Sequence, residues 1–276
     1  MARRNSQPKV AGNLVIIGGA EDKTGDRVIL NKFLELADSS NSLITIMTVA
    51  TAHPEETGRI YEKSFAELGA PRVEVLHLNA RAQAFDKRVE DLLANSTGIF
   101  FTGGDQLRIT SMLGGTPADR ALRAALCRGS VIAGTSAGAS AMSSLMIVEG
   151  KGDESPKKGT VRLAPGLRLL QDAVIDQHFA QRGRIGRLLS AISQNPYVLG
   201  IGVDEDTAIV VRQDEVFEVI GSNCVTVLDG RHVKLTNVSE SSPYEPLALS
   251  HITLHVLPHD FRFDLRNREP FYPEPS

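Results

Sequence analysis

Short apolar runs alternate along this chain with segments whose apolar residues recur at helical spacing. The runs are rich in β-branched side chains and predict buried strands at residues 14–17, 43–49, 73–78, 99–101 and 131–133. The segments between them predict crossover helices at residues 26–37, 55–68, 87–93 and 119–126. This alternation predicts an α/β fold with a doubly wound, mostly parallel sheet. Ligands bind beyond the carboxyl ends of the strands in such sheets.

The pattern changes after about residue 200. Short strands are predicted at residues 207–212, 215–220, 224–228 and 251–257, with turn residues between them, and we interpret them as antiparallel hairpins that extend the sheet. No Pro/Ser-rich linker divides the chain, so a single domain over residues 1–276 is the simpler expectation. Residues 1–12 are expected to form a tail, residues 240–246 a surface loop, and residues from about 231 to 276 a C-terminal strand followed by an irregular arm.

The composition is that of a soluble globular protein, because 42% of the 276 residues are hydrophobic and 23% are charged. A formal net charge of −3 gives no basic surface for nucleic acid, and no apolar run approaches the length of a membrane span. The first residues are polar and lack the apolar core of a signal peptide, which predicts a cytoplasmic location. Two distant cysteines predict neither a disulfide framework nor a zinc site.

The segment Gly-Thr-Ser-Ala-Gly at 134–138 carries the first chemical signal. It follows the predicted strand at 131–133 and is followed by small residues, a context typical of a sharp strand-to-helix turn. Small neighbours leave room for the strained backbone and keep a serine hydroxyl accessible. Ser136 is therefore the candidate nucleophile.

A serine hydroxyl needs a base from another loop. His178 ends the apolar run 173–175 and is the preferred candidate, while His53, which also follows a strand, is the alternative. The imidazole in turn needs a carboxylate that fixes its tautomer. Glu205, at the end of the predicted strand 198–203, is the preferred acid, and Glu154 is the alternative.

Two groups can donate to the oxyanion of an acyl-transfer reaction. One is the backbone N–H of Ala137, directly after the nucleophile, and the other lies in the paired glycines 103–104 after a strand. A further glycine pair at 18–19 belongs to neither a dinucleotide fingerprint nor a Walker motif, so a nucleotide site is not predicted.

Three guanidinium groups follow His178 closely. Arg182, Arg184 and Arg187 can bind carboxylates, which favours an acidic substrate, although they could equally be ordinary cations on a solvated helix. Asp176 could bind a positively charged group, and the two signs together would suit a mixed-charge peptide.

Five segments together resemble the cyanophycinases, a serine peptidase family that also includes aspartyl dipeptidases. They are Phe-Thr-Gly-Gly-Asp-Gln at 101–106, Gly-Thr-Ser-Ala-Gly-Ala at 134–139, Asp-Gln-His-Phe-x-Gln-Arg-Gly-Arg at 176–184, Ile-Gly-Gly-Ala-Glu-Asp at 17–22 and Gly-x-Asp-Glu at 202–205. The resemblance implies a flavodoxin-like fold similar to that of class I glutamine amidotransferases. It also implies a serine exopeptidase, without metal or other cofactor and typically dimeric, that cuts cyanophycin to β-aspartyl-arginine dipeptides. Cyanophycin is a poly-aspartate with an arginine joined to each β-carboxyl.

The resemblance also implies residue roles. Ser136 would be the nucleophile, His178 the base and Glu205 the orienting acid, with Gly104 and Ala137 donating to the oxyanion. The residues expected to line the substrate groove are Gln106, Asp176, Gln177, Arg182, Arg184 and Arg187. Two other functions stay open from the residues alone: a dipeptidase acting on aspartyl or isoaspartyl dipeptides, and a catalytically silent binding protein.

Overall fold

The computed structural model describes residues 11–152 and 155–271, which form two β-sheets with flanking helices. The strands are β1 Leu14–Ile17, β2 Leu43–Met47, β3 Arg72–Leu76, β4 Gly98–Phe101, β5 Val131–Thr135, β6 Ser143–Glu149, β7 Arg162–Pro165, β8 Leu170–Gln177, β9 Leu199–Val203, β10 Thr207–Val211, β11 Val216–Gly221, β12 Val225–Asp229, β13 Thr253–Leu257, β14 Arg262–Asp264 and β15 Glu269–Phe271. The helices are α1 Val28–Leu36, α2 Pro54–Glu67, α3 Lys87–Asn95, α4 Gln106–Leu113, α5 Pro117–Arg128, α6 Ala137–Met142 and α7 Ile185–Gln194, with short 3-10 helices at Arg81–Phe85 and Ala180–Arg182.

The first sheet contains the predicted parallel strands. Within the described ranges it has nine strands in the order β15-β14-β11-β10-β1-β5-β4-β2-β3. Neighbouring strands in the part β1-β5-β4-β2-β3 are all parallel. The strands β10, β11, β14 and β15 extend the sheet beyond β1 through antiparallel pairings. The prediction of an α/β fold with a mostly parallel sheet and an antiparallel extension is therefore confirmed.

The second sheet was not predicted. Its order among the described strands is β13-β12-β9-β8-β6-β7, with β6, β8 and β9 parallel to one another. The expectation that all the late hairpins extend one sheet is thus wrong for β12 and β13, because β12 pairs with β9 instead of β11 and β13 pairs with β12. Hydrophobic alternation predicts that a segment is a strand, but it does not specify which strand it pairs with.

Helices cover both faces of the first sheet, as a doubly wound fold requires. On one face α1 and α2 pack Phe33 and Phe65 against Phe100 of β4, with ring centroids 5.5 Å apart in each contact. On the other face α3, α4, α5 and α6 pack apolar side chains into a core that the second sheet shares. The helix α7 covers the outer face of the second sheet. The two sheets therefore pack around one continuous core.

Several helices begin and end at residues suited to those positions. The hydroxyl of Thr116 accepts a hydrogen bond from the backbone N–H of Asp119 at the start of α5, Pro117 is the first residue of that helix, and Gly129 ends it with a φ of 117°. In the same way Asp105 caps α4 through the N–H of Leu107. The N-cap of α4 fixes the position of the glycine pair before it.

The C-terminal region is more regular than expected. Residues 262–264 and 269–271, part of the predicted strand and arm, pair as β14 and β15. Residues 1–10 and 272–276 lie outside the described ranges, so the tail predictions that fall on them stay predictions. None of the described helices is both long enough and apolar enough to cross a membrane.

Candidate active site

The strand β5 and the helix α6 meet in a turn that carries Ser136. The backbone of this residue has φ 53° and ψ −112°, a conformation that residues other than glycine rarely adopt. A Cβ atom at Gly134 would lie 2.5 Å from the backbone of Gly138, and one at Gly138 would lie 2.6 Å from the carbonyl oxygen of Phe101. Both glycines are therefore required by space. This is the geometry of a nucleophile elbow.

His178 lies beside the serine. Its Nε2 is 3.0 Å from Oγ of Ser136, although the two residues directly follow strands of different sheets, β8 and β5. The backbone N–H of His178 donates to the carbonyl of Gly18 at 2.8 Å, which holds the end of β8 against the loop after β1. Gly19 of that loop touches the imidazole, because a Cβ atom there would lie 2.3 Å from Cε1 of His178.

Glu205 completes a chain of hydrogen bonds. Its Oε1 is 2.6 Å from Nδ1 of His178. With the Nδ1 proton donated to the carboxylate, Nε2 is left to accept the proton of the Ser136 hydroxyl. The side-chain amide oxygen of Gln181 accepts from the backbone N–H of Glu205 at 3.0 Å and fixes the loop. Sequence reasoning did not identify Gln181 in this supporting role.

The neighbouring carboxylates serve other loops. Asp204 accepts from the backbone N–H of Ala180 at 2.9 Å, and Asp206 accepts from the hydroxyl of Ser222 at 2.6 Å. Of the three acidic side chains at 204–206, Glu205 is the one that contacts the imidazole. The alternative acid, Glu154, lies outside the described residues.

The surroundings of His178 favour its neutral form. Burial lowers the pKa of the imidazole, and the positive charges of Arg182 and Arg184 lower it further, while the hydrogen bond and charge of Glu205 act in the opposite direction. The net effect is a pKa below the ordinary value. A neutral imidazole can accept a proton, so the resting state is suited to general-base chemistry.

The alternative base, His53, lies elsewhere. It is exposed just before α2, and its backbone N–H donates to the hydroxyl of Thr51 at 3.1 Å. The structure thus brings His178, and not His53, to the Ser136 hydroxyl.

The two expected oxyanion donors lie close to the elbow. Ala137 is the first residue of α6, and Gly103, next to Gly104, would place a Cβ atom 3.4 Å from Cβ of Ser136. Gly104 has a φ of 140°, and a Cβ atom there would lie 2.1 Å from the carbonyl oxygen of Ala50. Among the described residues, no acceptor is hydrogen-bonded to the backbone N–H of Gly104 or Ala137. Both N–H groups can therefore donate to a substrate oxygen.

Several of the expected groove residues form a buried charge network. Asp176, which has no exposed surface, accepts from Nε of Arg187 at 2.8 Å and from a second nitrogen of the same guanidinium. Arg184 lies 3.4 Å from Asp176 and donates to the side-chain oxygen of Gln177 at 2.8 Å. Arg187 also donates to the carbonyl of Gly150 at 3.0 Å. The structure shows these side chains bonded to one another, and their expected place along the substrate groove stays a prediction.

Gln106 and Arg182 have different surroundings. The amide nitrogen of Gln106 donates to the carbonyl of Ile147 at 2.7 Å and so links α4 to β6. Arg182 is exposed on the 3-10 helix that follows His178, and its charge is close enough to lower the pKa of that imidazole. Among the predicted guanidinium groups, Arg182 is thus the most available to a ligand.

The comparison with protein families decides the wider class. The model of peptidase family S51 matches residues 14–219, which include Ser136, His178 and Glu205.

The chain belongs to peptidase family S51.

It is therefore a serine-type peptidase, and the resemblance seen in the sequence is confirmed.

Curated relatives cover almost the whole chain. A protein named cyanophycinase from Geminocystis herdmanii is 40% identical over 259 residues, covering 94% of this chain and 95% of its own length. Cyanophycinases from Synechococcus elongatus and from a Nostoc species are 39% and 38% identical, covering 94% and 96% of this chain and 80% and 94% of their own lengths.

Solved structures show the same fold at lower identity. The crystal structure of a peptidase from an acI-B1 Actinobacterium covers 90% of this chain and 99% of its own, with a TM-score of 0.65 and 19% identity. A putative peptidase E protein from Listeria monocytogenes covers 76% and 98%, with a TM-score of 0.51 and 20% identity. These likenesses concern the fold alone and agree with a flavodoxin-like architecture.

Proposed function

We propose that this S51 peptidase hydrolyses cyanophycin to β-aspartyl-arginine dipeptides through an acyl-enzyme on Ser136. The observation that carries the proposal is the continuous chain of hydrogen bonds from the Ser136 hydroxyl through His178 to Glu205. The cyanophycinases that match nearly the full chain support the choice of substrate.

The proposed reaction has two halves. Nε2 of His178 takes the Ser136 proton as Oγ attacks the scissile carbonyl, and the backbone N–H groups of Gly104 and Ala137 stabilise the oxyanion. The imidazolium then protonates the leaving amine, and Glu205 stabilises its charge. In the second half, water attacks the acyl-enzyme with the same imidazole as base, which releases the product and restores the hydroxyl.

Substrate recognition is proposed to use charges of both signs. Cyanophycin presents free carboxylates and arginine side chains along its length, and the exposed Arg182 can bind the former. Arg184 and Arg187 are held by Asp176, so we propose that they act on the substrate through the electrostatic field of the buried network and through the shape it gives to the groove wall. Gln106 and Gln177 would line the same groove.

The decisive experiment is product analysis by mass spectrometry after incubation with purified cyanophycin. Wild type should release β-aspartyl-arginine, and Ser136→Ala and His178→Ala should release about 10³-fold less or none while keeping the thermal transition of the wild type. Wild-type release from Ser136→Ala would remove the proposed nucleophile.

The acid is tested separately. Glu205→Gln should lower kcat by about 10²-fold to 10⁴-fold, whereas Glu154→Gln should leave it near wild type. The reverse result would assign the acid to Glu154. Faster turnover of short aspartyl or isoaspartyl dipeptides than of the polymer would replace the proposed substrate with the dipeptidase alternative.

The assembly and location expected from the sequence also stay proposals. We propose a homodimer, which is compatible with the exposed edge of the second sheet as described, where Leu254 and Val256 of the edge strand β13 are 53% and 54% exposed. Sedimentation at several concentrations measures the mass in solution, and a monomer at all of them would contradict the proposal. The cytoplasmic location is tested by fractionation of the source cells.

A further inference from the structure

Glu21 is a buried carboxylate with no part in the proposed reaction. Its side chain is 1% exposed, and its Oε2 accepts from the hydroxyl of Thr135 at 2.5 Å. Its Oε1 accepts from the hydroxyl of Tyr61 and lies 3.0 Å from Nζ of Lys23. Burial and the negative charge of Glu21 raise the pKa of Tyr61, so this phenol stays a donor. A buried charge is costly unless it has bonding partners, and each carboxylate oxygen of Glu21 has at least one.

Thr135 connects this carboxylate to the nucleophile. It is the last residue of β5, it is buried, and it directly precedes the strained backbone of Ser136. A conformation of this kind persists only when the surroundings hold it. The hydrogen bond that Thr135 donates to Glu21 holds the residue on the N-terminal side of the elbow.

The loop that carries Glu21 also touches the other segments of the site. The carbonyl of Ile17 accepts from the N–H of Ser136 at 3.0 Å, and the carbonyl of Gly18 accepts from the N–H of His178 at 2.8 Å. The carbonyl of Gly19 accepts from the N–H of Asp206, the residue after the proposed acid, at 2.9 Å. Residues 17–22 thus contact the nucleophile, the base and the loop of the acid.

We propose that Glu21 is a positioning residue that fixes residues 17–22 to the end of β5 and so sets the spacing between Ser136 and His178. The inference rests on the proposed function, because it concerns the reactivity of the Ser136 hydroxyl. Loss of the Glu21 to Thr135 bond lets the elbow and the loop move relative to each other. A displacement near 1 Å at a reacting group costs about 10²-fold in rate.

The test uses Glu21→Gln, Thr135→Val and Thr135→Ser in the full chain. Glu21→Gln and Thr135→Val should each lower kcat by about 10-fold to 10²-fold, with KM within about twofold of wild type, and Thr135→Ser, which keeps the hydroxyl, should restore most of the rate. Labelling of Ser136 by a small fluorophosphonate should slow by the same factor, because the probe reports the reactivity of the hydroxyl without the polymer. The double variant Glu21→Gln/Thr135→Val should be no slower than the worse single variant.

A matched control separates positioning from general stability. Asp229 is also a buried carboxylate, 2% exposed and paired with Arg231 and Arg268 at the end of β12. Asp229→Asn should lower the Tm without slowing the labelling of the folded fraction. The inference is overturned if Glu21→Gln labels at the wild-type rate per folded molecule, or if Thr135→Ser is as slow as Thr135→Val. Failure of the proposed function gives a different result, since Ser136→Ala would then keep its activity or its label.

Discussion

At one position of the site, Gly19, the structure leaves no room for a side chain. Gly19 has a φ of 102°, and the space where its Cβ atom would stand is taken by the imidazole of His178. Two independent physical demands therefore meet at this residue, a left-handed backbone and a close approach. The two demands can be tested separately, because Gly69 has a left-handed backbone but no close neighbour.

Gly19→Ala should lower kcat by about 10²-fold or more, since the methyl group displaces the ring of His178 from Ser136. The matched control is Gly69→Ala, where φ is 90° and no atom lies within 4 Å of the added Cβ atom. The control introduces only backbone strain, which should lower the free energy of unfolding by about 1 kcal/mol and leave kcat unchanged. Steady-state kinetics and urea unfolding check the two variants, and equal kinetic losses in both would contradict the contact with His178.

The charge of Arg182 should be visible in the pH dependence of Ser136 labelling. The label reacts only when His178 is neutral, so the rate rises as the pH increases through the pKa of that imidazole. Arg182 lowers this pKa, so Arg182→Gln should move the rising limb to higher pH. Lys87→Gln, a remote change on α3, is the control and should leave the limb in place. A shift to lower pH in Arg182→Gln would contradict the assigned sign.

Among the elements, the junction of β5 and α6 is the part that the sequence predicts best. An apolar strand, a glycine-flanked serine and a run of small residues are local signals, and the structure has them within the residues expected. The pairing of β12 with β9 and the hydrogen bond from Thr135 to Glu21 depend on residues far apart in the chain, 114 positions in the second case. Local patterns carry no information on such contacts, so neither the second sheet nor the contact between Glu21 and Thr135 could be predicted from the sequence.

Gly138→Ala tests the packing of α6 on β4. The added methyl group would lie 2.6 Å from the carbonyl oxygen of Phe101 and 2.9 Å from its Cβ atom, so α6 must move away from the strand. We expect a loss of about 1–3 kcal/mol in the free energy of unfolding and a fall in fluorophosphonate labelling per folded molecule. Denaturant unfolding and labelling measure the two effects. Wild-type labelling in a destabilised variant would show that the elbow does not depend on this contact.

At the level of the whole molecule, the C-terminal strands β14 and β15 form one edge of the first sheet. Phe263 of β14 is fully buried and stacks on Phe217 of β11, with ring centroids 5.3 Å apart and an interplanar angle of 19°. These residues lie towards the end of the sheet that is remote from β3, and two strands, β10 and β1, separate β11 from β5, the strand before Ser136. Stability and chemistry can therefore be changed separately here.

Phe263→Ala should lower the free energy of unfolding by about 3–5 kcal/mol, because it opens a cavity in the shared core. Phe271→Ala on β15, where the ring is 44% exposed, should change it by well under half of that. The kcat per folded molecule should match wild type in both variants. Equal unfolding midpoints for the two variants would contradict the packing described for β14.

The separation of Ser136 from its partners has a consequence for the newly made protein. The hydroxyl directly follows β5, whereas His178 and Glu205 follow β8 and β9 of the second sheet, which are synthesised later. An incomplete chain leaving the ribosome carries a serine without a base, and such a hydroxyl has the low reactivity of an ordinary alcohol. Under the proposed mechanism, hydrolytic activity therefore arises only after the two sheets have packed together.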